Sequence, residues 1–202
     1  VVKVKICGVT TAGDARLAAR AGASAVGLNF FPASPRYVSF DAAEEIVTAL
    51  PAGVCRVGVF VDAPRAEVEA TAERLRLDAL QFHGDEDPEY CRGWRQKIIK
   101  AVRVRDPQSL RLAAAYAVDF ILADAHVEGR AGGTGRRVPL EYLEGIERRR
   151  LILAGGLTPE NVAEVVRRVR PAAVDVASGV ETAPGRKDAE KVRRFVCNAQ
   201  SA

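Results

Sequence analysis

Apolar residues along the chain follow two alternating rhythms. Short runs with a period near two, the mark of strands, are separated by stretches where apolar residues return every three or four positions, the mark of helices. The clearest instance is LILAGGLTPENVAEVVRRVRPAAVDVASG over 151–179. A strand over 151–154 stops at Gly155-Gly156. Thr158-Pro159 then predicts a helix start, with Thr as N-cap and Pro in the first helical position. Val162, Val165, Val166 and Val169 fall on one helical stripe, Pro171 closes the helix, and 173–177 reads as the next strand, ending at Ser178-Gly179.

The same alternation fills the rest of the chain. Strands are predicted over 2–7, 25–30, 55–61, 79–83, 97–104 and 119–124, and helices over 11–22, 65–75, 87–94, 107–117 and 139–149. Ser39 or Asp41 starts another helix with Ala43, Ile46, Val47 and Leu50 on one face, and the last, over 187–199, buries Val192, Phe195, Val196 and Ala199. Eight strand–helix units without spare elements predict an α/β single domain, 1–202, whose parallel strands close into a (β/α)8 TIM barrel. A doubly wound open sheet is the alternative. Strand parity points Lys5, Cys7, Asn29, Gln81, His83, Lys100, Asp124 and Asp175 to the barrel axis. Of these, Cys7, Asn29, His83 and Asp124 end strands, where such barrels keep their chemistry.

Two glycine turns, Gly155-Gly156 and Ser178-Gly179, follow the last two strands. Glycine lets backbone N–H groups come close to an anion, and the loops after strands 7 and 8 of a barrel often hold phosphate. The polar loop 125–137 carries Gly129, Gly132, Gly133 and Gly135, which read as a closing lid or as a flexible turn. Lys5 lies roughly 7 Å from Cys7 along the same face, by strand rise, and a nearby cation favours a thiolate that can act as base or nucleophile. The plainer reading of Cys7 is a small buried hydrophobe. An enclosed Asp124 can keep its proton and act as general acid, or serve as an N-cap or ion-pair partner. Arg36 is either a bidentate carboxylate clamp or a solvated loop residue. Asp175 either orients a substrate amine or hydroxyl or pairs with Lys100 or Lys5, and His83 reads first as a satisfied core histidine.

Composition narrows the function further. The chain has 202 residues, net charge +4 and a pI near 9.0, but its basic residues are scattered and aromatics make up 6%. That argues against a nucleic-acid surface and for small anionic substrates. Four cysteines without a CxxC spacing and only two histidines give no metal pattern and point to a reducing compartment. No apolar run is long enough to cross a bilayer, so no membrane role and a cytoplasmic location are expected.

The ordered set of Lys5-Ile6-Cys7-Gly8, Ser34-Pro35-Arg36-Tyr37, Gly58-Val59-Phe60, Gln81-Phe82-His83-Gly84, Gly132-Gly133-Thr134-Gly135, Ala154-Gly155-Gly156-Leu157 with Asn161, Val174-Asp175-Val176 through Ser178-Gly179-Val180-Glu181, and Pro184-Gly185-Arg186-Lys187-Asp188 resembles the phosphoribosylanthranilate isomerase family over the whole chain. The resemblance implies an Amadori rearrangement in tryptophan biosynthesis without a cofactor or metal. It makes Asp124 the general acid and Cys7 the general base. Arg36, Asp175 and His83 become substrate-binding residues, and Gly133, Gly135, Gly155, Gly156, Ser178 and Gly179 hold the phosphate. A small phosphorylated substrate and a monomer or homodimer are the expected partners. The segment Arg136-Arg137-Val138-Pro139-Leu140 departs from the aromatic and acidic segment common in relatives, and Ala125 stands where Thr is expected. Competing readings are another phosphate-binding sugar-phosphate isomerase or epimerase, and a barrel that binds a phosphorylated ligand without turnover.

Overall fold

Eight parallel strands close into a barrel in sequence order, each paired with its sequence neighbours and the first with the eighth. This computed structural model describes residues 1–125, 140–143 and 146–202. The strands are β1 (Lys3–Cys7), β2 (Ala25–Asn29), β3 (Cys55–Phe60), β4 (Ala79–Phe82), β5 (Lys97–Val104), β6 (Phe120–Ala125), β7 (Leu151–Leu153) and β8 (Ala173–Val176). The α-helices are α1 (Ala12–Arg20), α2 (Phe40–Ala49), α3 (Arg65–Arg74), α4 (Pro107–Leu112), α5 (Val162–Val169) and α6 (Ala189–Gln200). Among the described residues no helix is long and apolar enough to cross a membrane.

Local chemistry explains most helix starts. Thr11 caps α1 by accepting from the Asp14 N–H, Ser39 caps α2, and Asp106 forms a capping box with Ser109 ahead of Pro107. α5 starts later than Thr158-Pro159 predicts. Asn161 is its N-cap residue, while 158–161 forms a turn in which the Thr158 N–H donates to Asn161 Oδ1 at 2.9 Å and Asn161 Nδ2 donates to the Gly156 carbonyl at 2.9 Å. Asn161 therefore ties the helix entry back to the glycine turn.

One predicted helix is replaced by turns, and the described part of another holds no α-helix. Residues 88–92 form turns instead of a helix, and Tyr90 and Trp94 pack on Phe82 with ring centroids 5.1 and 5.3 Å away. Among the described residues of 139–149 there are only 3-10 turns, Leu140–Leu143 and the start of Arg148–Arg150. An element absent from the predicted set follows β8: a short hairpin of β9 (Glu181–Ala183) and β10 (Arg186–Lys187) precedes α6.

Apolar residues split into an outer layer between strands and helices and an inner one. The inner cluster holds Val57, Ala79, Ile99, Ala101, Leu122, Ile152, Ala154 and Ala173. That set confirms the parity that sends Lys5, Gln81, Asp124 and Asp175 inward. Lys100 is the exception. It pairs in register with Phe82, an outer-layer residue, so it faces the helix side. Its ammonium donates to Glu86 Oε2 at 2.6 Å and to the Gly84 carbonyl at 2.7 Å. Glu86 in turn accepts from the Asp62 N–H at 2.9 Å, so a buried ion pair anchors the loops after β3 and β4.

Candidate active site

Cys7 ends β1 on the inner face, beside Lys5 and against Gly27 of β2. A Cβ at Gly27 would lie 2.8 Å from Cys7 Sγ and 3.0 Å from Lys5 Nζ, so the missing side chain makes room for both head groups. Lys5 donates to Asp175 Oδ1 at 2.8 Å, and both are buried. Of the two partners proposed for Asp175, the structure selects Lys5. Burial alone would lower the Lys5 ammonium, but Asp175 and Cys7 more than offset it and hold it above its ordinary range. Burial pushes the Cys7 thiol up, and Lys5 and Lys187 only partly counter it, with Asp175 adding to the rise. The cation at Lys5 favours the thiolate as expected, yet desolvation outweighs it.

Arg36 lies in the loop after β2, folded over Gly8, whose φ of +67° and missing Cβ admit the Arg36 side chain. The loop is shaped by Asn29, whose Oδ1 accepts from the Phe31 N–H at 2.9 Å and whose Nδ2 donates to Ser34 Oγ at 3.1 Å. The Arg36 guanidinium is not solvated. Its Nε and Nη2 donate to Glu181 Oε1 and Oε2 at 2.9 and 2.7 Å. Lys187 Nζ donates to Glu181 Oε1 at 2.7 Å and to the Cys7 carbonyl at 2.6 Å. Burial would raise the Glu181 carboxyl, but hydrogen bonds from Arg36 and Lys187 hold it below the usual carboxylate range. Nη1 of Arg36 has no hydrogen-bond partner among the described residues.

Asp124 shares the inner face of β6 with Leu122. Only β7 and β8 separate β6 from β1 on one side of the mouth. His83, just past β4, brings its Nε2 to 3.4 Å from Asp124 Oδ2. Its Nδ1 is 2.9 Å from Gln81 Nε2.

The two glycine turns abut. Gly155 and Gly156 have φ of +82° and +64°, a region that only glycine enters freely. A Cβ on Gly179 would run into the Leu157 carbonyl, so the turn after β8 packs directly on the turn after β7. The backbone N–H groups of Gly155, Gly156, Ser178 and Gly179 donate to no described residue. This leaves donors for an anion where barrels bind phosphate. Gly133 and Gly135 lie outside the described residues.

Sequence reasoning missed Glu181 and Lys187 as partners of the site, although both stand in the motifs quoted above. Among the described residues no group of three or more His, Cys, Asp or Glu side chains is arranged to hold a metal ion.

Comparison with known proteins adds what geometry alone leaves open. The model of the N-(5'phosphoribosyl)anthranilate (PRA) isomerase family matches residues 4–198. The chain belongs to this family. The phosphoribosylanthranilate isomerase of Geobacter sp. (strain M21) is 50% identical over 199 residues, covering 98% of each chain. The crystal structure of the Thermotoga maritima phosphoribosylanthranilate isomerase superposes over 100% of both chains with a TM-score of 0.93 at 40% identity. Another, solved with reduced 1-(o-carboxyphenylamino)-1-deoxyribulose 5-phosphate, gives a TM-score of 0.88 at 40% identity over 100% of both chains. A 3-hexulose-6-phosphate synthase from Salmonella typhimurium shares only the fold, at 16% identity and a TM-score of 0.72. By its family this chain is an isomerase of tryptophan biosynthesis, and the readings as another sugar-phosphate enzyme or as a barrel without turnover fall away.

Proposed function

We propose that the chain rearranges N-(5-phosphoribosyl)anthranilate to 1-(2-carboxyphenylamino)-1-deoxyribulose 5-phosphate with Asp124 as acid and Cys7 as base. Asp124 gives its proton to the furanose ring oxygen as the C1–O bond breaks, and the anthranilate nitrogen lone pair forms the C1=N bond. The Cys7 thiolate then takes the C2 proton, and that electron pair forms the C1=C2 double bond of an enolamine as the C1=N π electrons return to nitrogen. Protonation at C1 and loss of the C2 hydroxyl proton give the ketone. Both proton transfers use side chains, so the scheme requires neither cofactor nor metal.

Arg36 takes the anthranilate carboxylate on its Nη1, while Glu181 keeps the guanidinium in place. Asp175 and His83 face the amine and the sugar. Gly155, Gly156, Ser178 and Gly179 hold the phosphate, joined by Gly133 and Gly135. The observation that carries this reading is the grouping of Cys7, Arg36 and the two glycine turns at one end of the barrel, with Asp124 on the same inner face. The enzyme works in the cytoplasm as a monomer or homodimer.

The reading is tested by adding the purified protein to freshly made phosphoribosylanthranilate and following loss of anthranilate-type fluorescence. A no-enzyme control corrects for spontaneous decay of the substrate. Rapid, saturable loss supports the reading, and a folded protein that leaves the control rate unchanged refutes it.

A further inference from the structure

Gln81 is among the most buried polar residues of the barrel, 1% exposed, and Lys5–Asp175 and Glu86–Lys100 pairs account for most of the others. Its Nε2 sits 2.9 Å from His83 Nδ1, and its Oε1 is buried without a hydrogen-bond partner among the described residues. The opposite amide orientation would point Oε1 at His83 and leave an NH2 with two donors buried and unpaired. A carbonyl left short of a partner is tolerated better than orphaned N–H groups. The observed orientation is therefore the favoured one, and in it Gln81 donates.

An amide N–H can donate to Nδ1 only when Nδ1 carries no proton. We propose that Gln81 is a positioning residue that holds His83 as the neutral Nε2–H tautomer and so fixes which oxygen of Asp124 delivers the proton. The inference rests on Asp124 being the acid of the proposed reaction. With its proton on Nε2, His83 faces Asp124 Oδ2 at 3.4 Å as a donor. That distance exceeds the roughly 3.0 Å of a made N–H···O bond, and such contacts often tighten only when substrate fills the site. An oxygen that accepts from His83 is the carbonyl oxygen of the acid, which puts the transferable proton on Oδ1. After transfer the same N–H stabilises the carboxylate. Arg103 also lies beside this pair. It is the register partner of Asp124, and its Nη2 is 3.4 Å from the His83 carbonyl.

The chain has only two histidines, His83 and His126, so nitrogen NMR of the 15N-histidine-labelled protein at neutral pH reads the tautomer directly, with His126→Gln assigning the signals. The proposal requires Nε2 of His83 protonated and Nδ1 bare. Gln81→Met, which keeps the volume but not the donor, should give mixed tautomers and lower kcat about 10-fold, the loss expected of an orienting partner, with KM nearly unchanged. Gln81→Glu, an acceptor only, should move the proton to Nδ1. A proton on Nδ1 in the wild type overturns the proposal, as does Gln81→Met with wild-type kcat and tautomer. If Gln81→Met does not fold, the wild-type spectrum decides alone. The NMR result does not depend on turnover, so its failure is distinguishable from failure of the acid assignment, which Asp124→Asn kinetics test.

Discussion

Truncating Glu181 to Ala is the most informative single perturbation of this site. The carboxylate accepts from Arg36 Nε and Nη2, from Lys187 Nζ and from the Gly185 N–H. Its side chain is 4% exposed, with Arg36 at 15% and Lys187 at 0%. Removal leaves two cations close together. Lys187 keeps the Cys7 and Ala177 carbonyls, but Arg36 loses both of its charged contacts. Breaking a buried pair from one side costs about 3–5 kcal/mol, because the stranded charge stays desolvated. At about 2–4 °C per kcal/mol for a chain of this size, Tm should fall by roughly 6–20 °C. Urea unfolding should give the same loss with little change in m. The double variant Glu181→Ala/Lys187→Met removes one stranded cation and should recover part of that loss. A single-variant cost below about 1 kcal/mol would place the triad with exposed pairs of little worth and refute the burial argument. KM should rise as well, since Arg36 loses the contact that orients it.

Other consequences concern pH, the clamp and the phosphate turns. Because burial raises the Cys7 thiol and the thiolate is the working base, kcat/KM should still be climbing with pH above the ordinary thiol range; a plateau reached well below that range would contradict it. The Glu181 carboxyl is depressed in the folded protein, so its stabilisation is fully present above the unfolded glutamate range and is lost as pH falls through the folded value. Glu181→Gln should therefore flatten the acid limb of a Tm-against-pH curve, and an unchanged limb would count against the linkage. Arg36→Ala should raise KM about 10–100-fold, the worth of hydrogen bonds to a charged group, with a smaller change in kcat; an unchanged KM removes the clamp assignment. Gly179→Ala must displace the turn from Leu157 and should weaken binding of inorganic phosphate measured by calorimetry, whereas wild-type affinity would separate that turn from the phosphate site.

The strands were legible because the inner and outer layers both demand alternation, and their predicted bounds differ from the observed ones by a residue or so at most ends. Helices failed where that demand is weak. At 87–94 the apolar residues are Tyr90, Cys91 and Trp94, broken by Pro88 and Gly93, and turns suffice to pack both rings on Phe82. Lys100 was misplaced because the parity rule sends the apolar set of a strand to the helices and its polar residues to the axis. Glu86 instead satisfies the Lys100 ammonium on the outer side, from a loop whose path no periodicity reveals. The same limit hid Glu181 and Lys187, which reach Arg36 and Cys7 through a hairpin 145 and 180 residues away in sequence. For Cys7, the sequence shows the neighbouring cation, while the degree of burial that outweighs it belongs to the folded chain. Turn glycines, by contrast, announced themselves, since positive φ at Gly155 and Gly156 needs that residue type.

The most direct test of the acid–base pair measures kcat for wild type, Cys7→Ser and Asp124→Asn by fluorescence loss, beside the affinity of each for reduced 1-(o-carboxyphenylamino)-1-deoxyribulose 5-phosphate. In both variants kcat should fall by about 10²–10⁴, the range for loss of a general acid or base, with analogue affinity within a few-fold of wild type. Near wild-type turnover in either variant, while it binds the analogue normally, would contradict the assignment of that residue to proton transfer.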